Sequence, residues 1–589
     1  MKKFWIIFSV LVLVIAGGMF AVWKTVSGLE GAASHVDGGV LVWQAGGAVV
    51  EERDDSFIGR IRGGDEPLMT ELLLALKRAE SDERIKGLAL DLQGFEVDWA
   101  KLEELQAAVR EFEASGKPVV AYLDAGMTRD YALAAQADRV VLSPEANIMV
   151  LGVVAELDFM KETLGKLGMK ADFIHVGAYK SAPERMTRDS ASEANREMIA
   201  AIVDDRYAAL VDMVSQGRGV DTPEAAAWID QGMFDAEGAV TAGLADTLQY
   251  WDDMLDAEFP DQPVTYLSDY ILEHPHARKD SPEVALVHIT GIIMPGESKF
   301  DNFQGKVAGS ETVVEQLQAV EDDDDIRALV LRVDSPGGSA LASDLIWEAI
   351  QRVKARKPVI VSMSGMAASG GYYVSCAADS IFADPGTLTG SIGVYAGKLD
   401  RSDMYGKVGV NREFITRGRN ALFFSDEGGF SDNQREIFSG QLSRFYERFL
   451  AKVAEGRHRT RDEIHAVAQG RVWTGNQGLE HGLVDRLGGL QDALGAARAS
   501  IGLGPDEHIA LVTYGKQLTW MERMVLKSLH GQARVEAGRL LSRATTSPEA
   551  ASLAPWLELL DLPAGEVLAT AALLDGRPVA LMPYVIRWR

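Results

Sequence analysis

Ala328-Leu329-Val330-Leu331, a short apolar run leading into Asp334-Ser335-Pro336-Gly337-Gly338, has a counterpart 241 residues earlier in Gly87-Leu88-Ala89-Leu90. At the same offset Ala137-Asp138 meets Ala378-Asp379, and residues 85–180 lie on residues 326–421 without a gap. A chain of 589 residues with a repeat period near 240 reads as two domains of ordinary size. That period is far outside the range of roughly 20 to 50 residues found in solenoids, so each copy is expected to fold as a unit.

Around the matched runs each copy alternates strand-like and helical segments. In copy two, residues 284–293 and 328–333 are β-rich, 343–355 has helical spacing and 358–362 is again strand-like. Copy one repeats this with residues 40–43, 87–92, 102–114 and 118–122. Parallel strands with crossover helices follow, which makes the fold class α/β. Helical spacing also marks residues 194–216 and 431–454. The proline-rich stretch 259–281 breaks the pattern and reads as a linker between copies at 35–258 and 282–514, while residues 515–589 lie outside the repeat.

The copies differ in a complementary way. Copy two has Ser369 within Ala367-Ala368-Ser369-Gly370-Gly371, where copy one has Thr128; copy one has Lys180 within Ala178-Tyr179-Lys180-Ser181, where copy two has Ala421. Small residues at a strand-to-helix turn usually serve close packing, and a lone lysine usually snorkels at a surface. Loss of each residue in the opposite copy is what raises both above those readings.

Composition narrows the function. A net charge of −27 repels a phosphate backbone, so nucleic acid is not expected as a partner. The single cysteine, Cys376, forms no intrachain disulfide and reads as core. The acidic run 321–325 reads as a solvated turn before a strand instead of a metal site. Residues 4–23 are uncharged and mostly apolar, a length that as a helix spans about 30 Å of hydrocarbon. Lys2 and Lys3 in front of the run favour a cytoplasmic N-terminus, and no convincing cleavage site follows, so residues 1–28 are expected to be an uncleaved anchor.

The chemistry concentrates at two glycine turns. Gly337-Gly338 after an apolar strand lets a backbone turn present its N–H groups without a Cβ in the way, which suits an oxyanion hole. Ser369, followed by Gly370-Gly371, can expose its hydroxyl with the Gly370 N–H beside it. A serine needs a base; no histidine is near in sequence, and Lys180, in the mostly apolar surroundings of Val176 to Tyr179, fits if burial lowers its pKa. The expected reaction is acyl transfer without a cofactor or metal.

Ser335-Pro336-Gly337-Gly338, Ala368-Ser369-Gly370-Gly371-Tyr372, Thr387-Leu388-Thr389-Gly390-Ser391-Ile392-Gly393 and Tyr179-Lys180-Ser181-Ala182 together resemble the signal peptide peptidase A family, also called protease IV, in its long tandem form. The resemblance covers the anchor, both copies and the division of serine from lysine. It implies two tandem ClpP/crotonase-like domains of repeated ββα units behind one transmembrane helix. It further implies a serine protease that degrades signal peptides and other apolar peptides in the bilayer.

By that resemblance Ser369 is the nucleophile and Lys180 the general base. Gly338, Gly337 and Gly370 are oxyanion donors, with Gly338 preferred over Gly337, and Ser391 orients the amine. The resemblance also implies a homo-oligomer, a tetramer in the long form, and placement in the bacterial inner membrane with the catalytic domains outside the cytoplasm. One departure is Pro183-Glu184, where the family commonly has an acidic residue followed by proline. Alternatives are a general envelope quality-control protease, a crotonase-type acyl-CoA enzyme, which the Ser/Lys division and the anchor disfavour, and a non-catalytic scaffold, which needs neither residue.

Overall fold

The computed structural model describes residues 38–53, 66–273, 281–301, 305–505, 507–515, 579–581 and 587–588. The expected anchor at 1–28 and most of the segment 515–589 lie outside the described residues. Among the described residues no helix is long and apolar enough to cross a membrane.

Copy one is built on β1 (Gly39–Ala48), β2 (Ile85–Glu96), β3 (Val119–Gly126) and β4 (Arg139–Met149). These pair in parallel in the order β4-β3-β2-β1. The runs Gly87 to Leu92 and Val119 to Leu123 are buried at every position, as a parallel sheet covered on both faces requires. The crossover between β2 and β3 is α1 (Trp99–Ala114), whose first turn is closed by the Asp98 carboxylate accepting from the Lys101 N–H.

Two further strands leave this sheet. The two-residue β5 (Ala155–Glu156) follows β4, and β6 (Lys170–Val176) reaches across to copy two. Residues 259–281, expected as a plain linker, instead carry β7 (Val264–Tyr266) and a helix, Leu267–Glu273. β7 adds to the free edge of β1 and buries Thr265, and the helix buries Tyr270. Prolines 260 and 263 hide this strand from a pattern search because it is only three residues long.

Copy two repeats the plan with β8 (Glu283–Thr290), β9 (Ile326–Ser335), the short β10 (Gly337–Ser339), β11 (Val359–Ala368), β12 (Leu388–Gly390), β13 (Val394–Asp400) and β14 (Ala510–Tyr514). Its main sheet runs β12-β11-β9-β8-β14, all parallel along this path, with β14 closing the edge as β7 does in copy one. The expected helices are present as α2 (Glu193–Arg218), α3 (Ala340–Lys354) and α5 (Asp432–Gly456), with the short α4 (Gly370–Ser375) after β11.

The copies are joined in three ways. β6 of copy one pairs antiparallel with β13 of copy two over seven residues, from Val394↔Val176 to Asp400↔Lys170. α2 buries Met198, Ile199 and Ile202 against Ala368, Leu388 and Val472 of copy two, at about 1.5–3 kcal/mol per side chain. The third junction is ionic. Arg332 on β9, with no exposed surface, donates to Glu51 at 3.0 and 2.8 Å and to Glu104 at 2.6 Å, both from copy one.

A further sheet places β15 (Val579–Leu581) between β10 and β13, antiparallel to both. β16 (Arg587–Trp588) pairs with β5.

Candidate active site

Ser369 sits where β11 ends and α4 begins. Its N–H donates to the Gly390 carbonyl at 2.8 Å, and its own carbonyl already accepts from the Tyr373 N–H at 2.8 Å. The strand-to-helix turn leaves no residue for a loop, and Ser369 takes φ 55, ψ −108. A positive φ in a side-chain-bearing residue is strained and persists where the surroundings force it. Ser391, on the neighbouring turn after β12, has φ 52.

The second turn joins β9 to β10. The Ser335 hydroxyl donates to the Gly291 carbonyl at 2.6 Å and accepts from the Gly337 N–H at 3.1 Å, so the Gly337 donor is engaged within the turn. Gly338 has φ 158, and a Cβ there would lie 2.0 Å from the Ile293 carbonyl oxygen, so no larger residue fits. A Cβ on Gly370 would lie 3.0 Å from the Gly338 nitrogen; the two turns abut. Gly370 opens α4, where an N–H has no acceptor within the helix. Of the expected donors, Gly337 is engaged within its turn, while Gly338 and Gly370 stand on the two abutting turns.

Lys180 arrives from copy one at the end of β6. Gly177, at φ 111, turns the chain so closely against Gln469 that a Cβ would meet its backbone at 2.4 Å. The Tyr179 N–H then donates to the Gln469 carbonyl at 2.9 Å. Lys180 Nζ lies 2.8 Å from Ser369 Oγ, 2.9 Å from Ser391 Oγ and 3.0 Å from the Ser391 carbonyl oxygen. The residues separated by 189 positions in sequence therefore meet within one chain.

Burial drives the Lys180 pKa well below its ordinary value, and desolvation is the cause. A neutral amine has two N–H donors and one lone pair. If the amine is neutral, the Ser391 carbonyl and hydroxyl can take its two donors, which would leave the lone pair for the Ser369 hydroxyl. Behind the lysine, Glu184 accepts from the Ser192 N–H and Asn195 Nδ2 at 2.9 and 3.1 Å, and the Ser181 hydroxyl donates to Asn195 Oδ1 at 3.2 Å. The inverted Pro183-Glu184 order thus forms an ordered loop.

Sequence reading missed the polar groups under the two turns. Lys101 of copy one bonds Asp334 at 3.1 Å, and Asp334 accepts from the Met366 N–H at 3.2 Å, tying the strand before the oxyanion turn to the strand before Ser369. Ser364 donates to Glu51 at 2.6 Å. Burial alone would raise Glu51, but the Arg332 guanidinium holds its carboxyl down at about 2. A cavity of about 610 Å³ at the copy junction, lined by Glu103, Asp205, Asp384 and Asp492 among others, touches neither Ser369 nor Lys180. Strands β10 and β13, with an extended segment between them, are the feature that fits a peptide.

Ser369, the desolvated Lys180 and the two glycine turns are thus gathered in one buried place. The peptidase family S49 model matches residues 111–258 and 351–503, just over half of the chain, and a Clp protease family model matches residues 302–385. The chain is 31% identical over 454 residues to "Serine protease SPPA, chloroplastic" of Arabidopsis thaliana, covering 75% of this chain and 67% of that protein. It is 32% identical to "Protease 4" of Haemophilus influenzae, with 78% of each covered, and 33% identical to "Protease 4" of Salmonella typhi, with 72% and 71% covered. The chain belongs to peptidase family S49 and is a serine protease of the SppA/protease IV type, with tandem mixed α/β domains of the ClpP kind.

Proposed function

We propose that the protein is a membrane-anchored serine endopeptidase that uses Ser369 and Lys180 as a catalytic dyad to degrade cleaved signal peptides and other apolar peptides at the bacterial inner membrane. The observation that carries this reading is the 2.8 Å approach of a buried lysine amine, with no countercharge among the described residues to hold its proton, to the Ser369 hydroxyl. Neutral Lys180 accepts the Ser369 proton as Oγ attacks the scissile carbonyl. The N–H groups of Gly338 and Gly370 receive the oxyanion, and the lysine returns its proton to the leaving amine. Water then hydrolyses the acyl-enzyme with the same lysine as base. Ser391 holds the amine in line.

The substrate enters as an added strand between β10 and β13, the position β15 takes. An apolar cluster beside this gap, Ala182 and Tyr395 with Phe173, Ile292 and Met294, favours apolar side chains. The uncharged run 4–23 supplies the anchor, with the catalytic copies outside the cytoplasm, and the chain assembles as a homo-oligomer, a tetramer by resemblance. The test is hydrolysis of a fluorogenic peptide with an apolar core by the detergent-solubilised protein, its Ser369→Ala variant and its Lys180→Ala variant. Both variants are expected to lose about 10³-fold or more in rate with folding intact; an active variant of either kind would sink the dyad.

A further inference from the structure

The cleft of about 610 Å³ where the two copies meet is of a size that takes a small molecule. Two helices of copy one form one wall. α1 contributes Glu103 and Glu104, with Ala107 and Ala108 one turn on; α2 contributes Asp205, then Ala208 and Ala209, then Asp212. Copy two closes the other side with Asp384, which follows the strand Ser380–Ala383, and with Asp492 on the helix Leu490–Ser500. Among the described residues the lining holds one cation, Arg110, which is exposed and donates to Gln136 at 2.9 Å.

The floor of the cleft lacks donors. Asp384 and Glu104 are each 4% exposed. Glu104 Oε1 accepts from Arg332, but Glu104 Oε2 and Asp384 Oδ2 have no hydrogen-bond partner among the described residues. Two buried acceptors cannot satisfy each other without a donor between them. Burial, with the Glu104 carboxylate beside it, pushes the Asp384 carboxyl well above the usual carboxylate range; Glu103 adds to the rise and Arg332 opposes it. Burial also pushes Glu103 up to about 8, against the Gly386 N–H that donates to it at 2.7 Å and the nearby Arg206, and with Asp205 and Asp98 adding to the rise. The floor therefore holds protons that another positive donor can replace.

We infer that this cleft binds a linear organic polycation, an aliphatic polyamine whose ammonium groups donate to Asp384 and Glu104 on the floor and to Asp205 and Asp212 on the wall. An ammonium group is a donor with no acceptor, which is what unpartnered carboxylate oxygens require. Asp205 and Asp212 lie seven positions apart on α2, about 10 Å along the helix, the reach of an extended triamine, and the alanines between them meet its methylenes. A metal ion is not the match, because no group of His, Cys, Asp or Glu among the described residues is arranged to hold one. Bound there, the polyamine neutralises like charges that the two copies bring to one junction, and so favours the docked state. This site stands apart from the dyad and does not depend on it.

The test uses the full-length protein in detergent with spermidine as the probe, and sodium chloride and magnesium chloride at equal ionic strength as references. Spermidine is expected to raise the Tm saturably, and the two salts are not. Titration calorimetry near neutral pH in two buffers of different ionisation enthalpy is expected to show protons released on binding. Affinity is expected to rise toward pH 8 as Glu103 loses its proton before the ligand arrives. Asp384→Asn, which keeps the shape of the floor, is expected to weaken binding about 10–100-fold, the worth of one charge-assisted hydrogen bond, and to reduce the proton release. Asp212→Asn, at the exposed mouth where folding is not at stake, is expected to weaken binding by a smaller factor. No saturable effect of spermidine, an equal effect of magnesium, or unchanged affinity in both variants overturns the site. Binding without proton release overturns it too, since the floor carboxyls would then be keeping a shared proton as a purely structural pair.

Discussion

Replacing Lys180 by methionine removes the amine but keeps most of its volume, and the consequence for stability depends on pH in a way that isolates the protonation state. Burial holds the Lys180 pKa well below the ordinary value in the folded protein, while an unfolded lysine titrates near 10.4. Between those two values the unfolded chain binds a proton that the folded chain does not, so wild-type stability rises with pH by about 1.4 kcal/mol per unit. Below the lowered folded value, and above about 10.4, the dependence vanishes. The methionine variant lacks this slope altogether. Loss of the contacts to Ser369 and Ser391 shifts the variant by an amount independent of pH, so the slope is the readout and the offset is not.

From pH 8 to pH 9 the Tm of wild type should therefore gain on that of Lys180→Met by about 3–6 °C for a cooperative unit of roughly 200 residues. Thermal scans of both proteins in one detergent at pH 8, 8.5 and 9 measure it. The same titration governs catalysis: kcat/KM should rise with pH through the lowered Lys180 pKa and level off above it. A Tm difference that stays constant across this range would mean that folded Lys180 carries its proton, and the general-base reading would fall.

Arg332→Met leaves Glu51 and Glu104 buried without their cation and is expected to destabilise the protein by about 3–5 kcal/mol, measured by denaturant unfolding. Ser369→Gly relieves a positive φ that Ser369→Ala retains; both should be inactive, with the glycine variant more stable by about 1 kcal/mol. Equal stability would remove the strain argument. Ser391→Ala removes one of two acceptors for the Lys180 amine, about 1 kcal/mol, so kcat should fall about 5–10-fold with KM nearly unchanged; a drop in affinity alone would assign Ser391 to the substrate.

The duplicated α/β plan was legible because strands buried on both faces must be apolar throughout, and two such strands at one offset are hard to mistake. Ser369 and Lys180 were legible through their absence from the opposite copies, a signal that needs no spatial knowledge. The ionic junction was not. Arg332 lies 281 positions from Glu51 and 228 from Glu104, and within an apolar strand an arginine gives no hint of its partners. β7 was missed because three residues directly after Pro263 carry too little periodicity to register. The β10–β13 gap was also out of reach, since pairing across it involves residues far apart in the chain.

The desolvated lysine also times the enzyme's own awakening. While the chain is being made and moved, copy one exists before copy two has closed over β6, and the Lys180 amine stands in water, protonated and unable to accept the serine proton. Ser369 meanwhile belongs to a segment synthesised 189 residues later. On the proposed dyad, docking of the second copy would desolvate the amine and bring the Ser369 hydroxyl to it in one event. On that reading a chain whose copies have not docked lacks the dyad, and proteolytic competence becomes a property of the finished fold.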